Sequence, residues 1–156
     1  MLKIRPIENH DLDQITQIEF DSFTDPYPMD LFQYFAKKSP ELFLIAVQEN
    51  IEEKVILGYA VAEIQQDYSY RTGHILSIAV RKQYRRRGVG NQLLSELICL
   101  FKTKGCTSVV LEVRASNLKA KTLYQKLGFY DLKRRRRYYE DGEDAIIMTL
   151  NLEDAP

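Results

Sequence analysis

The chain has 156 residues, enough for one well-buried core and too few for two full domains, so a single domain over residues 1–156 is expected. Hydrophobic residues make up 45% and charged residues 28% of it, a globular mixture that excludes a disordered tail or a collagen-like chain. With 22 basic against 22 acidic side chains the net charge is zero, so no global field draws the protein to nucleic acid or to an anionic membrane.

In chain order, Leu2, Ile4 and Pro6 alternate with Lys3 and Arg5 and predict a strand. This start lacks the apolar stretch of a signal peptide and no later segment reaches membrane-spanning length, so a cytoplasmic protein is expected. Asn9 or Asp11 offers an N-cap for a helix through Ile15, Ile18 and Phe23. Asp25-Pro26-Tyr27-Pro28 breaks it, and Leu31, Phe32 and Phe35 predict a short second helix. Residues 42–48 and 55–64 read as strands of a hairpin around the polar stretch 49–54. A fourth strand ends with Ile75-Leu76-Ser77-Ile78-Ala79-Val80. Val89, Leu93, Leu94, Leu97, Ile98 and Phe101 then recur at helical spacing. Cys99 lies in that helix and Cys106 at its end, which fits neither a zinc pattern nor a disulfide framework, so two reduced thiols are expected. A strand over 109–113 follows. Asn117 caps a helix with Ala120, Leu123, Tyr124 and Leu127 on one stripe, stopped by Gly128. Two strands over 130–139 and 144–152 flank the turn signal Asp141-Gly142. The order describes a mixed sheet with helices on both faces.

The run Arg85-Arg86-Arg87-Gly88-Val89-Gly90-Asn91 joins the fourth strand to the long helix. Such a junction presents the unpaired N–H groups of the first helical turn, which suit an anion such as phosphate. A nucleotide P-loop needs Lys-Ser or Lys-Thr after the glycines, and none follows. A dinucleotide fingerprint needs a third glycine where Leu93 stands. Two readings stay open on the loop alone: a site for another phosphate-bearing ligand, or a tight turn with solvated arginines.

The pattern Arg85-x-x-Gly88-x-Gly90, placed after Ile78-Ala79-Val80 and before an apolar helix, resembles the acetyl-CoA signature of the GNAT superfamily of N-acetyltransferases. Leu111-Glu112-Val113-Arg114-Ala115-Ser116-Asn117, followed by Leu123-Tyr124 and Leu127-Gly128-Phe129, looks like a segment shared by RimI-type ribosomal-protein alanine acetyltransferases and archaeal NatA-type catalytic subunits. Tyr138-Tyr139-x-Asp141-Gly142-Glu143-Asp144-Ala145 resembles the closing hairpin of the same enzymes. The blocks fall within residues 73–150, and the N-terminal half fits in element order only. The resemblance implies an α/β (α+β) GNAT fold, with a mixed, mostly antiparallel sheet of about seven strands, helices on both faces and a splay between the fourth and fifth strands. It also implies that backbone amides from Arg86 through Arg87, Gly88 and Val89 to Gly90 bind the pyrophosphate of acetyl-CoA, with Arg85 and Asn91 flanking them. Ile78, Ala79 and Val80 would then pair with the pantetheine arm, and Asn117 and Tyr124 would lie near the cofactor. No metal is expected.

Acetyl transfer from a thioester to an amine needs a neutral amine, a stabilised oxyanion and a proton for the departing thiolate. A free α-amine has a pKa of about 8 against about 10.4 for lysine, so it is neutral far more often at neutral pH. Glu112 interrupts an apolar strand and is a candidate base, directly or through a water, the role that the resemblance implies for it. His74 shares a strand face with Leu76, Ile78 and Val80 and is a second candidate, a side chain that titrates near neutrality. His10 is read as a surface residue. Tyr124 follows Asn117 as the RimI-type general acid does, and a core residue is the competing reading. A backbone N–H near Ile78 or Ala79 is the expected oxyanion donor.

On the substrate side, Phe23, Asp25, Pro26 and Tyr27 occupy the place of the family's peptide-binding loop, opposite a hairpin that carries Tyr138 and Tyr139. Asp25 stands where NatA-type relatives usually carry glutamate, one methylene longer. The resemblance thus implies an N-terminal (Nα) protein acetyltransferase with broad tolerance of the first residue. Its expected partners are protein or peptide N-termini, acetyl-CoA and the ribosome, without membrane or sequence-specific nucleic acid. The alternatives are an acetyltransferase for lysine side chains or small amines, and a non-catalytic CoA-binding or RNA-binding module suggested by Lys133-Arg134-Arg135-Arg136-Arg137. On a strand that run would form a solvated basic edge that discourages strand addition.

Overall fold

The computed structural model describes residues 2–49 and 54–153. The elements are β1 (Leu2–Pro6), a 3-10 turn (Asn9–Asp11), α1 (Leu12–Ser22), α2 (Met29–Lys38), a 3-10 turn (Pro40–Leu42), β2 (Phe43–Glu49), β3 (Lys54–Asp67) and β4 (Tyr70–Val80). A third 3-10 turn (Lys82–Tyr84), α3 (Val89–Thr103), β5 (Ser108–Arg114), α4 (Leu118–Lys126), β6 (Tyr130–Arg135) and β7 (Ala145–Asn151) follow. Residues 50–53 of the expected polar turn between the second and third strands lie outside the described residues. The strand order is β1-β2-β3-β4-β5-β7-β6. β1–β2, β2–β3, β5–β7 and β6–β7 pair antiparallel, while β4–β5 is parallel. That parallel ladder holds only Thr72↔Ser108, Gly73↔Val109 and His74↔Val110. Its early end is the break expected between the fourth and fifth strands. No helix among the described residues is long and apolar enough to cross a membrane.

The chain forms two compact units, and β3, β4 and α3 each run through both. The first comprises the described residues up to Glu63 with Ser77–Cys99. Its core is aromatic: Phe32 lies 5.8 Å from Phe43 and 5.7 Å from Tyr59, ring to ring, and all three are fully buried. Such contacts add about 0.5–1.5 kcal/mol each beyond the burial of their area. Arg5 on β1 grips Asp11 with two bonds of 2.7 and 2.9 Å. The same carboxylate accepts the Glu8 N–H at 2.8 Å. Asp11 therefore closes the 3-10 turn ahead of α1 and ties it to the strand, where an ordinary side-chain N-cap of the helix was expected. Burial opposes ionisation of Asp11, yet the Arg5 guanidinium and the Glu8 N–H hold its pKa below the usual value.

The second unit comprises Ile64–Leu76 and the described residues from Leu100 onward. On β5, Val109, Leu111 and Val113 are buried, and Ser108, Val110, Glu112 and Arg114 between them are half-buried, the period-2 pattern of a strand with one packed face. Gly73 admits the Phe101 ring, since a Cβ there would lie 2.6 Å from a ring atom.

The largest departures from the expected boundaries fall at three places. β3 and β4 extend to a two-residue turn at Tyr68–Ser69, where Tyr68 has φ +42°. α1 ends at Ser22, leaving Phe23 extended. β6 ends at Arg135 rather than at 139 because Arg137 takes φ +52° and turns its N–H to the Asp144 carboxylate at 2.9 Å. Tyr138 and Tyr139 are thus loop residues.

Gly58 tests the packing of the first unit. A Cβ there would lie 2.6 Å from the Ala79 carbonyl oxygen, which is backbone and has little freedom to move. Gly58→Ala should lower stability by about 1–3 kcal/mol in urea unfolding. An unchanged midpoint would refute that close approach.

Candidate active site

In the second unit, the end of the parallel ladder brings two expected residues together. His74 Nε2 lies 2.8 and 3.0 Å from the two carboxylate oxygens of Glu112. Both side chains are about one-fifth exposed, 17% and 23%, so the pair is partly desolvated and still open to a ligand. Nδ1 of the same ring lies 3.4 Å from the Gln65 side-chain nitrogen, which can only donate. In the neutral ring that arrangement leaves Nδ1 as acceptor and puts the proton on Nε2, aimed at Glu112.

Beside the pair stands the β6–β7 loop. Arg114, at the end of β5, reaches Asp141 at 2.8 Å and Glu143 at 3.0 Å. Its guanidinium lies 4.0 Å over the Tyr139 ring. The other Glu143 oxygen accepts the Ser116 N–H at 2.9 Å, and Gly142 supplies the positive φ of the turn, +87°. The Glu143 N–H and Arg114 hold Asp141 below its usual pKa, and Ser116 and Arg114 do the same for Glu143. Tyr138 packs edge-to-face on Tyr139 at 5.0 Å. Burial raises its pKa, the Glu112 charge adds to that, and Arg135 opposes it. The phenol is therefore within electrostatic reach of both Glu112 and Arg135.

Asn117 caps α4, its side-chain oxygen accepting the Ala120 N–H at 3.2 Å, and Gly128 at φ +102° terminates it. These two signals fix the helix that carries Tyr124. The Tyr124 ring is buried, 5.9 Å from Phe129, and burial pushes its pKa up to about 12. It holds its proton throughout the physiological range and can act only as an acid there.

In the first unit, Arg86 at φ +67° and Gly88 at φ +81° shape the glycine loop. The first α3 bond outside the helix proper runs from the Gln92 N–H to the Gly88 oxygen at 3.0 Å. The backbone N–H groups from Arg86 to Asn91 find no acceptor among the described residues, which makes the segment a ready nest for anionic oxygens. A Cβ on Gly88 would meet nothing within 4 Å. The arginines are not equivalent. Arg85 bonds the Val80 carbonyl at 2.9 Å and Ser22 at 3.4 Å, so it braces the loop from within, whereas Arg87 lies over the Tyr84 ring at 5.6 Å. Ile78, Ala79 and Val80 form the last residues of β4.

The same unit holds a residue that the sequence reading missed. Glu19 is 2% exposed. It accepts from the Tyr59 hydroxyl, from Ser77 at 2.7 Å and from the Tyr27 backbone N–H at 3.1 Å. Burial and the Glu19 charge push the Tyr59 pKa well up. Glu19 thereby pins the expected peptide-binding loop from below: Phe23 and Pro26 are half-buried, Asp25 is exposed, and Tyr27 also packs on Phe32 and Phe35. The available signal was its spacing, since Glu19 falls on the α1 stripe of Leu12, Ile15 and Ile18, where an acid is out of place.

Elsewhere among the described residues, Glu8, His10 and Asp11 form a cluster with metal-ligating atoms. Asp11 is committed there to Arg5. His10 is exposed, as expected.

Comparison with known proteins identifies the family and the fold. The family model described as Acetyltransferase (GNAT) family matches residues 12–129. The chain belongs to the GNAT acetyltransferase family. An N-alpha-acetyltransferase of Sulfurisphaera tokodaii is 36% identical over 159 residues, covering 96% of this chain and 93% of that one. A putative ribosomal protein bS18-alanine N-acetyltransferase of Bacillus subtilis is 31% identical over 152 residues, covering 97% and 96%. Among solved structures, a chain of the NatC complex bound to Gag peptide and CoA superposes with a TM-score of 0.91 at 26% identity, covering 97% of this chain and 98% of that one. This acetyltransferase takes its acetyl group from acetyl-CoA and passes it to an amino group.

The raised Tyr124 pKa predicts alkaline behaviour. Unfolded tyrosine ionises near pH 10 and folded Tyr124 only near 12. Its contribution to stability is therefore full below pH 10 and declines as pH rises from 10 towards 12, because the unfolded chain loses the proton first. Tyr124→Phe should lose less stability over that interval than the wild type in denaturant titrations. Equal losses would refute the desolvated phenol.

Proposed function

We propose that this acetyltransferase is an N-terminal (Nα) protein acetyltransferase, one catalytic domain over residues 1–156, with a cytoplasmic location and broad tolerance of the first residue. The observation that carries the reading is the His74–Glu112 pair beside a hairpin loop locked by Arg114. It is supported by relatives matched over more than nine-tenths of the chain and named for α-amine acetylation. An α-amine is neutral far more often than a lysine at neutral pH, so it asks little of its base.

In this reading the amine nitrogen attacks the thioester carbonyl, the N–C bond forms, and the C–S bond breaks as the tetrahedral intermediate collapses. Glu112 takes the amine proton, directly or through a water. His74, with Nε2–H donated to Glu112, orients that carboxylate and has no lone pair facing the amine, which favours Glu112 as the base over His74, and Glu112 releases the proton to solvent afterwards. Tyr124 gives its proton to the CoA thiolate. A backbone N–H at Ile78 or Ala79 donates to the oxyanion. The pyrophosphate rests on the backbone amides of Arg86, Arg87, Gly88, Val89, Gly90 and Asn91, with Arg85 bracing the loop, and the pantetheine arm runs along Ile78, Ala79 and Val80. Asn117 serves the cofactor by fixing the helix of Tyr124. Phe23, Asp25, Pro26 and Tyr27, with Tyr138 and Tyr139, hold the peptide. A ribosomal-protein N-terminus belongs to the proposed substrate class, supported by the relative named as a putative bS18-alanine N-acetyltransferase, and ribosome association would accompany it.

The test is an acetyl-CoA assay on peptides that carry one internal lysine, with the N-terminus free or chemically blocked. Free peptides should react and blocked ones should lose well over about 10-fold in kcat/KM, since the pKa difference of about 2.4 units makes a neutral lysine about 250-fold rarer than a neutral α-amine at neutral pH. Equal rates would assign the enzyme to lysine side chains. Tyr124→Phe should lower kcat about 10-fold or more with the fold intact, and full activity would make Tyr124 a packing residue.

A further inference from the structure

The basic run has a geometry that its sequence does not show. β6 is the last strand in the sheet order and all six of its residues are exposed. Arg134 bonds Asp144 at 2.7 Å. Lys133 and Arg135 form no ion pair among the described residues. The acids around them are already committed, Asp141 and Glu143 to Arg114, Asp131 to Lys121 and Asp144 to Arg134. Two unneutralised cations thus stand at one edge of a chain with no net charge.

The register shows which way they face. Glu112 pairs with Ile147, which pairs with Lys133; Arg114 pairs with Ala145, which pairs with Arg135. Directly opposed residues point to the same side of an antiparallel sheet. Lys133 therefore shares a face with Glu112, and Arg135 with Arg114, two strands away. At about 4.8 Å per strand the backbones of Lys133 and Glu112 lie about 10 Å apart, the length of about three residues of extended peptide. Tyr138 senses the charges of both Glu112 and Arg135, which fits this placement.

We propose that Lys133 and Arg135 are specificity residues that favour substrates with an acidic side chain at about the third or fourth position from the acetylated N-terminus. The inference rests on the Nα reading above and adds a substrate class to it. Both an acidic peptide and RNA would match the charge, and it is the placement on the face of Glu112, within reach of a peptide whose N-terminus lies there, that selects the peptide. The cations that face Glu112 are the unpaired ones, and β6 has no aromatic residue interleaved between Lys133 and Arg135 on which a base would stack.

The test compares peptides that each carry one lysine near the C-terminus and are identical except at residues 3 and 4, carrying Asp-Asp, Asn-Asn or Lys-Lys, with an N-terminally blocked version of the Asp-Asp peptide, at saturating acetyl-CoA. Wild-type kcat/KM should favour Asp-Asp over Asn-Asn roughly 3- to 10-fold, the scale of two partly solvated ion pairs. The preference should shrink with added salt. It should fall to about one in Lys133→Gln/Arg135→Gln and invert towards Lys-Lys in Lys133→Glu/Arg135→Glu, with acetyl-CoA affinity as the control for folding. Equal kcat/KM for Asp-Asp and Asn-Asn overturns the proposal. So does salt-sensitive binding of poly(U) without any peptide preference, which would assign the run to nucleic acid. If the blocked peptide reacts as well as the free one, the Nα reading fails and this inference falls with it. A free-only reaction without acidic preference removes this inference alone.

Discussion

Everything proposed for the chemistry depends on where the parallel pairing of β4 and β5 stops. Continued pairing would spend the polar groups beyond His74 and Val110 on the sheet. The ladder instead holds three residue pairs, and at its end an imidazole and a carboxylate meet at 2.8 Å. A parallel strand pair is normally buried on both faces and reads as an apolar run. Glu112 lies just past the parallel ladder and is tolerated because its face is half-exposed and because His74 offers it a hydrogen bond. The same local exposure that makes the acid affordable leaves it open to a substrate.

The remaining charges follow one rule, that a partly buried charge is kept where its bonds position a functional segment. Arg114 unites Asp141, Glu143 and the face of Tyr139 and so fixes the loop that carries Tyr138. Glu19 collects three donors and fixes Tyr27. Arg5 and Asp11 fix the entry to α1. Lys133 and Arg135 are exposed and outside that rule, and their place on the face of Glu112 and Arg114 without a carboxylate partner is what marks them as candidates for recognition.

Much of the fold is legible in the sequence where burial imposes a period. The α3 stripe and the β5 alternation follow directly from it, and Asn117 and Gly128 mark the ends of α4 by cap chemistry. The far ends of β3 and β4 are not legible, because residues 65–70 are exposed on both faces and carry no hydrophobic alternation. The end of β6 depends on the φ of Arg137 and on a bond to Asp144, neither of which composition reveals. His74 and Glu112 are each readable as candidates, yet their contact joins residues 38 apart, and the Gln65 donor that sets the tautomer lies in the part of β3 that the pattern misses. Glu19 is hidden by convention, since a glutamate in a helix is ordinarily taken for a solvent residue and only its position on the apolar stripe says otherwise.

The most direct measurement of the central claim is the single-turnover rate of acetyl transfer by Glu112→Gln, preloaded with acetyl-CoA and mixed with a free-amine peptide. The chemical step should slow about 10-fold or more while the acetyl-CoA Kd stays at the wild-type value. A wild-type rate for the chemical step would contradict the account and leave the His74–Glu112 contact a structural one.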